Sequence, residues 1–161
     1  MEQNVRSASL PAITLWQPWA SLVAAGVKPF ETRGWPPPRR LIGARVAIHA
    51  ARRPTERDFD PATAAAIAAA LNDPGWPDLL PRGAVLCSAV LAGAYRVGEE
   101  TAAGHAAVIA MVPGSPAVAA IDTDPFGDFS PGRWAWRLRE IVPVEPPVPA
   151  RGHQGWWRWT G

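Results

Sequence analysis

The sequence predicts an α+β domain, mainly β, in which a small mixed or antiparallel β-barrel carries short flanking helices. Three observations lead there: short apolar runs with strand-like alternation recur along the chain, the two clear helical patterns both come early, and 19 prolines and 14 glycines punctuate the connections. A length of 161 residues suits one domain, and 48% hydrophobic residues supply a sizeable core. Residues 1–9 are polar and expected to form a flexible tail, leaving 10–161 as a single domain.

Ala12 to Trp16 reads as the first strand. Pro18 suits a helix's first turn, Trp19, Leu22 and Val23 recur at i, i+3 and i+4, and Gly26 stands where a left-handed residue closes a helix. Residues 18–25 are therefore predicted helical, with Trp19 in the core. Phe30 to Trp35 follows as a strand, with Glu31, Arg33 and Trp35 sharing one face. Pro36-Pro37-Pro38-Arg39-Arg40 is a stiff basic linker, and Arg45 to Ala51 is a third strand with Val46 and Ile48 inward and Ala47 and His49 opposite.

Thr55-x-x-Asp58 resembles a capping box ahead of the alanine-rich helix Ala62 to Leu71, which Asn72-Asp73-Pro74-Gly75 stops. Ala84 to Tyr95 reads as a long apolar strand. Residues 97–132 show weak periodicity and predict an irregular excursion with a short helix around Thr101 to Met111. Trp134, Trp136 and Leu138 alternate with Ala135, Arg137 and Arg139 as a half-buried strand, which Pro143 to Pro149 is expected to break. The aromatic tail from Trp156 to Trp159 should pack back onto the body.

Lys and Arg total 16 against 14 Asp and Glu, so net charge alone says little. Fifteen of the sixteen cations are Arg, the better residue for forking onto phosphates and stacking on bases. A GC-rich coding bias explains that preference in part, but not nine tryptophans. Cys87 is the lone cysteine, which excludes an intramolecular disulfide or a cysteine-based metal site; a reducing, cytoplasmic setting is expected. No secretory leader is expected, since Met1-Glu2-Gln3-Asn4 lacks a positively charged segment followed by an apolar run, and no run comes near the ~20 apolar residues that span a bilayer. Phosphate-binding glycine loops, metal-ligand clusters and Ser-His-Asp signatures are absent, and no cofactor or metal is expected.

Chemistry concentrates at one corner. Trp16 ends the first strand, Gln17 and Pro18 start the turn into the first helix, and Lys28, Glu31, Arg33 and Trp35 follow that helix, bringing flat aromatic surfaces and opposite charges together. That combination suits a planar polar ligand such as a nucleobase. Lys28 is the sole lysine, Glu31 and Arg33 can read a base edge, Trp16 and Trp35 can stack on it, and His49 can face the same cavity. Each has a plainer alternative: a turn lysine near a helix C-terminus, a structural ion pair, core aromatics and a structural histidine. Arg39, Arg40, Arg52 and Arg53, with His153 in the glycine-flanked tail, are expected to line a rim that follows a phosphate backbone.

Trp16-Gln17-Pro18-Trp19-Ala20-Ser21-Leu22-Val23, Gly26-x-Lys28-x-x-Glu31-x-Arg33, Ala47-Ile48-His49-Ala50 and Phe126-Gly127-x-x-x-x-Gly132-Arg133-x-Ala135-Trp136 together resemble the activating signal cointegrator homology (ASCH) domain. Pro149-x-x-Gly152-x-Gln154-Gly155-Trp156 is similar to its bacterial members, so the resemblance runs in order over nearly the whole chain. It implies a PUA-like β-barrel of the kind that recognises RNA or modified bases. Some relatives are amidohydrolases that deacetylate N4-acetylcytidine, and others are linked to RNA cleavage or to binding alone. In the amidohydrolase branch a lysine at the position of Lys28 is catalytic, with a threonine three residues on; here Glu31 stands instead. A carboxylate pairs with the lysine rather than serving as a nucleophile. The sequence therefore points first to binding of RNA, single-stranded nucleic acid or a modified nucleoside. Hydrolysis of an acylated nucleoside or of RNA by Lys28 and Glu31, or a protein-interaction module, are the alternatives.

Overall fold

The computed structural model describes residues 9–161. The expected flexible tail lies outside the described residues except for Ser9, which opens the first strand. The elements are β1 (Ser9–Leu15), α1 (Trp19–Ala24), β2 (Phe30–Arg33), a 3-10 turn (Arg39–Leu41), β3 (Arg45–Ala50), α2 (Pro61–Leu71), α3 (Trp76–Leu79), β4 (Ala84–Ala102), β5 (His105–Met111), β6 (Ala120–Asp122), β7 (Trp134–Pro149) and β8 (Trp156–Thr160). The fold is α+β and mainly β, as its alternating runs predict.

All eight strands form one mixed sheet in the order β2-β7-β4-β3-β1-β8, with β5 added to β4 and β6 to β5. Only β1 and β3 run parallel. The edge strands β2 and β8 are not paired to each other, so the sheet curls without closing through its backbone. Side chains span the remaining gap. Trp136 of β7 stacks on Trp156 of β8 at 5.6 Å with 12° between the planes, and Arg33 of β2 donates to the Thr14 carbonyl of β1 at 3.1 Å.

The main core lies inside this curl, around Leu15, Val23, Ile48, Cys87, Leu91 and Trp136. A smaller cluster, Leu22, Ile67 and Trp76, packs the three helices against one another. Trp19 is half-buried between the two and packs edge-on against Phe59 at 5.5 Å. Burial of Cys87 pushes its thiol up to about 12, which keeps it unreactive.

Local chemistry explains where the elements stop. At the end of α1, Gly26 takes φ +76°, its N–H bonds the Val23 carbonyl and the Val27 N–H bonds the Leu22 carbonyl. This pairing is a Schellman cap, and it needs a residue that tolerates the left-handed region. Asp60, not the expected Thr55 box, caps α2: its Oδ1 accepts from the N–H groups of Ala62 and Thr63, both at 3.0 Å. Pro61 opens that helix and disfavours helical geometry in the residue before it, so the boundary falls there.

Two expectations are corrected. The segment Thr101 to Met111 is a hairpin rather than a helix: β4 runs on to Ala102, Gly104 turns at φ +80°, and β5 returns alongside. Alanine's helix propensity is a weak preference here, and burial of Ala106 with Tyr95, Val97 and Ile121 overrides it. Pro143 to Pro149 does not end β7 either. Register jumps between the Val148–Val85 and Pro143–Cys87 rungs, so the residues between them bulge out along a stretch that β2 no longer pairs. Proline is tolerated at such bulges and edges because no ladder donor is required there.

Candidate functional site

The Schellman cap delivers Lys28 directly beneath the start of β2. Its side chain turns inward, 2% exposed, where the ammonium donates to the Phe30 carbonyl and to Glu31 Oε2 at 3.3 Å. Glu31 Oε1 accepts from Arg33 Nε at 2.8 Å, and Arg33 Nη2 reaches the Thr14 carbonyl. The three residues thus form a relay of charge from the interior to the surface: a buried lysine, a buried carboxylate and a half-buried arginine. The Arg33 guanidinium also lies 5.9 Å from the ring centres of both Trp35 and Trp136. Trp35 packs edge-on against Trp136, which donates its indole N–H to the Trp35 carbonyl at 3.2 Å.

Beyond Arg33 opens a cavity of about 1050 Å³, bounded by the ends of β1 and β3, by Ala51, Arg52 and Gly83, and by the segment 149–155 between β7 and β8. Trp16, Arg33, His49, Arg52, Arg151 and His153 supply its chemistry. Trp16 is 53% exposed, and the Arg53 guanidinium sits 3.7 Å from its ring centre. Arg53 itself does not line the cavity, so the guanidinium braces the indole from outside.

His49 forms the cavity floor through a continuous hydrogen-bond chain. Trp157 donates its indole N–H to Thr14 Oγ1 at 3.2 Å, Thr14 Oγ1 lies 3.1 Å from His49 Nδ1, and His49 Nε2 lies 2.9 Å from the Ala150 carbonyl. The carbonyl only accepts, so Nε2 carries the proton and Nδ1 accepts from the threonine hydroxyl. Burial holds the His49 pKa below its ordinary value despite that backbone bond, and neighbouring His153 adds to the lowering. The ring is neutral. Gly152 presses directly on it: a Cβ there would come within 2.5 Å of His49 Cε1 and 2.8 Å of Thr14 Oγ1.

The predicted residues therefore divide into groups. Trp16, Arg33, His49, Arg52 and His153 meet around one cavity. Lys28 and Glu31 lie buried behind Arg33 and do not line it, and Trp35 packs against Trp136 instead. Gln17, 1% exposed, spends its carboxamide internally: Nε2 donates to Ser21 Oγ and the Pro81 carbonyl, both at 2.7 Å, and Oε1 accepts from the Ser21 N–H at 3.0 Å. Gln17 and the buried Pro18 anchor the start of α1 to the loop before β4 rather than facing the cavity.

The four arginines expected on a single rim are separated. Arg39 and Arg40 precede β3 and Arg52 and Arg53 follow it, so a strand of six residues, about 16 Å over its five steps, lies between the pairs. The motif around Gly152 and Gln154 was visible in the sequence, but Arg151, which lines the cavity beside them, had no signal that set it apart. Asp124 was equally silent. This carboxyl accepts from the Phe126 N–H at 2.8 Å, its other oxygen is buried without a partner, and desolvation raises its pKa against the attraction of nearby Lys28.

Among the described residues no cluster of His, Cys, Asp and Glu could hold a metal ion, and no helix is long and apolar enough to cross a membrane. No curated protein matches the chain. A family model for the ASCH domain matches residues 13–119, from β1 through the loop before β6, and so takes in the Trp16 corner, the Lys28–Glu31–Arg33 relay and His49. The chain belongs to the ASCH domain family, a membership consistent with a PUA-like RNA-binding domain.

Proposed function

We propose that this ASCH domain binds RNA and takes one unpaired or modified nucleobase into the cavity between Trp16 and His153. The observation that carries the reading is the composition of the cavity wall: an exposed indole, two imidazoles and three guanidiniums surround the space, with no carboxylate among them. A base offers flat faces to stack and carbonyl and ring-nitrogen acceptors at its edge, and its sugar-phosphate brings negative charge. Arg33, His153 and Gln154 supply donors for the edge, and Arg52 and Arg151 supply cations for the phosphate. The volume, about 1050 Å³, lies just above the roughly 300–1000 Å³ range of small-molecule pockets.

Lys28 and Glu31 act here through Arg33. Glu31 fixes the direction of the guanidinium and Lys28 balances the buried carboxylate, so the trio keeps one net positive charge beside the cavity. Hydrolysis of an acylated nucleoside, or RNA cleavage, by Lys28 and Glu31 has weaker support, since both are buried and outside the cavity lining. The test is binding of a short single-stranded RNA followed by fluorescence anisotropy between about 50 and 200 mM salt, where phosphate contacts make affinity fall steeply. Binding that weakens with salt supports the reading, and no binding even at the lowest salt overturns it.

A further inference from the structure

Ladder register places three arginines side by side that the sequence keeps far apart. Ala50 pairs with Ala84 across β3 and β4, and Ala84 pairs with Pro149 across β4 and β7, so these residues form one row over three neighbouring strands. Two positions beyond that row lie Arg52, Arg82 and Arg151, one from each strand end. On the fourth strand, Leu15 of β1 pairs with Ala50, and one position beyond it lies Trp16. The strand ends therefore carry, in sheet order, Trp16, Arg52, Arg82 and Arg151 just past one edge of the ladder, with Trp16, Arg52 and Arg151 on the cavity wall. At a spacing of 4.7–4.9 Å between strands, the arginines span about 10 Å and the whole row about 14 Å.

No acidic side chain among the described residues neutralises this row. Arg52, Arg82 and Arg151 are all exposed, and none pairs with a carboxylate among the described residues. Arginines 45, 57 and 133, by contrast, each have an acidic partner. Local packing holds the row in place: the Gly83 N–H bonds the Ala50 carbonyl, the Ala150 N–H bonds the Gly83 carbonyl, and the Arg52 stem lies directly over Gly83. Glu99 and Glu100 stand at the far end of β4, away from the row.

We infer that this row is the track of a single RNA strand, which runs across the ends of β3, β4 and β7 with its phosphates on Arg52, Arg82 and Arg151 and one base turned into the cavity at Trp16. The inference rests on the proposed RNA-binding function and specifies its partner as single-stranded. A base that stacks on a protein indole must be unstacked and unpaired, which a base inside a duplex is not. The row also gives Arg82 a function although it lies outside the cavity wall.

The experiment is the salt dependence of binding of a single-stranded RNA oligonucleotide and its blunt duplex to the wild type, to Arg52→Ala, Arg82→Ala and Arg151→Ala, and to the triple variant. Arg96→Ala, far along β4, is the control, and melting temperatures verify that each variant folds. Removing the partner of one phosphate should reduce the slope of log K against log salt by about 0.7, equivalent to about five-fold in affinity at 0.1 M salt; the triple variant should bind about 100-fold more weakly. Slopes unchanged in all three single variants, or reduced equally by Arg96→Ala, would overturn the track while leaving RNA binding intact. Tighter binding of the duplex would overturn its single-stranded character. Absence of any wild-type binding would instead remove the functional reading on which the track depends.

Discussion

Replacing Glu31 by Gln should destabilise this protein far more than an ordinary polar substitution. The change keeps the shape of the side chain and deletes its charge, leaving Lys28 buried with an ammonium whose other partner is only the Phe30 carbonyl. Breaking a buried pair by removing one member costs about 3–5 kcal/mol, because the surviving charge is neither hydrated nor matched. For a chain of this length each kcal/mol shifts the melting temperature by about 2–4 °C, so a drop of about 6–20 °C is expected in a thermal melt followed by circular dichroism. Lys28→Met removes the stranded charge, so the double variant should melt well above the sum of the two single losses. A drop below about 2 °C in Glu31→Gln, or strictly additive losses, would contradict this picture, because it would mean that Lys28 reaches water. An open corner of that kind is what a catalytic lysine would need.

The other predictions concern the cavity. Trp16→Ala should weaken binding of single-stranded RNA by about 5- to 150-fold, the equivalent of one stacked base at about 1–3 kcal/mol, with little change in melting temperature because the ring is largely exposed. Gly152→Ala should cost about 1–3 kcal/mol of stability by overpacking against His49 and Thr14, and should shift the His49 ring resonances in NMR spectra. Since burial lowers the His49 pKa in the folded state, the unfolded chain binds the extra proton first as pH falls; stability should be full above about pH 6.5 and decline below it. Denaturant melts from pH 7.5 to 5 should show that decline and a smaller one in His49→Gln, whereas NMR at pH 7 should find the ring neutral with its proton on Nε2.

Much of the fold was legible because its signals are local. The i, i+3, i+4 pattern of Trp19, Leu22 and Val23, the Gly26 stop and the alternation of Trp134, Trp136 and Leu138 each report a periodicity that the structure uses. The β5 hairpin was not legible. A run such as Ala106-Ala107-Val108-Ile109-Ala110 fits helix or strand equally, and only its partners Tyr95 to Val97, which fold next to it through Gly104, decide the outcome. The prolines of β7 misled for a related reason, since the bulge that accommodates them is a property of the ladder to β4.

The site divides in the same way. Strand alternation correctly put Glu31 and Arg33 on one face, and the carboxylate at position 31 pointed to an ion pair with Lys28, which the structure contains. The sequence could not reveal that Lys28 turns inward while the space opens beyond Arg33, because that depends on how α1 and β2 meet the curled sheet. Arg39 and Arg40 looked like neighbours of Arg52 and Arg53 in a short basic region, yet the intervening residues are extended and carry the two pairs to opposite ends of β3. Arg151 carried no signal of its own, and only the fold brings it to the cavity that Arg52 also lines.

Base recognition in the open cavity is best examined by an NMR titration of the isotope-labelled protein with a short single-stranded RNA. The Trp16 indole N–H, the backbone of residues 151–154 and the His153 ring should shift progressively and saturate together, while the Lys28 and Glu31 amides stay nearly still. Shifts centred on Lys28, Glu31 and Asp124 with a silent Trp16 and His153 would contradict it, and would move the ligand from the open cavity to the buried charge cluster.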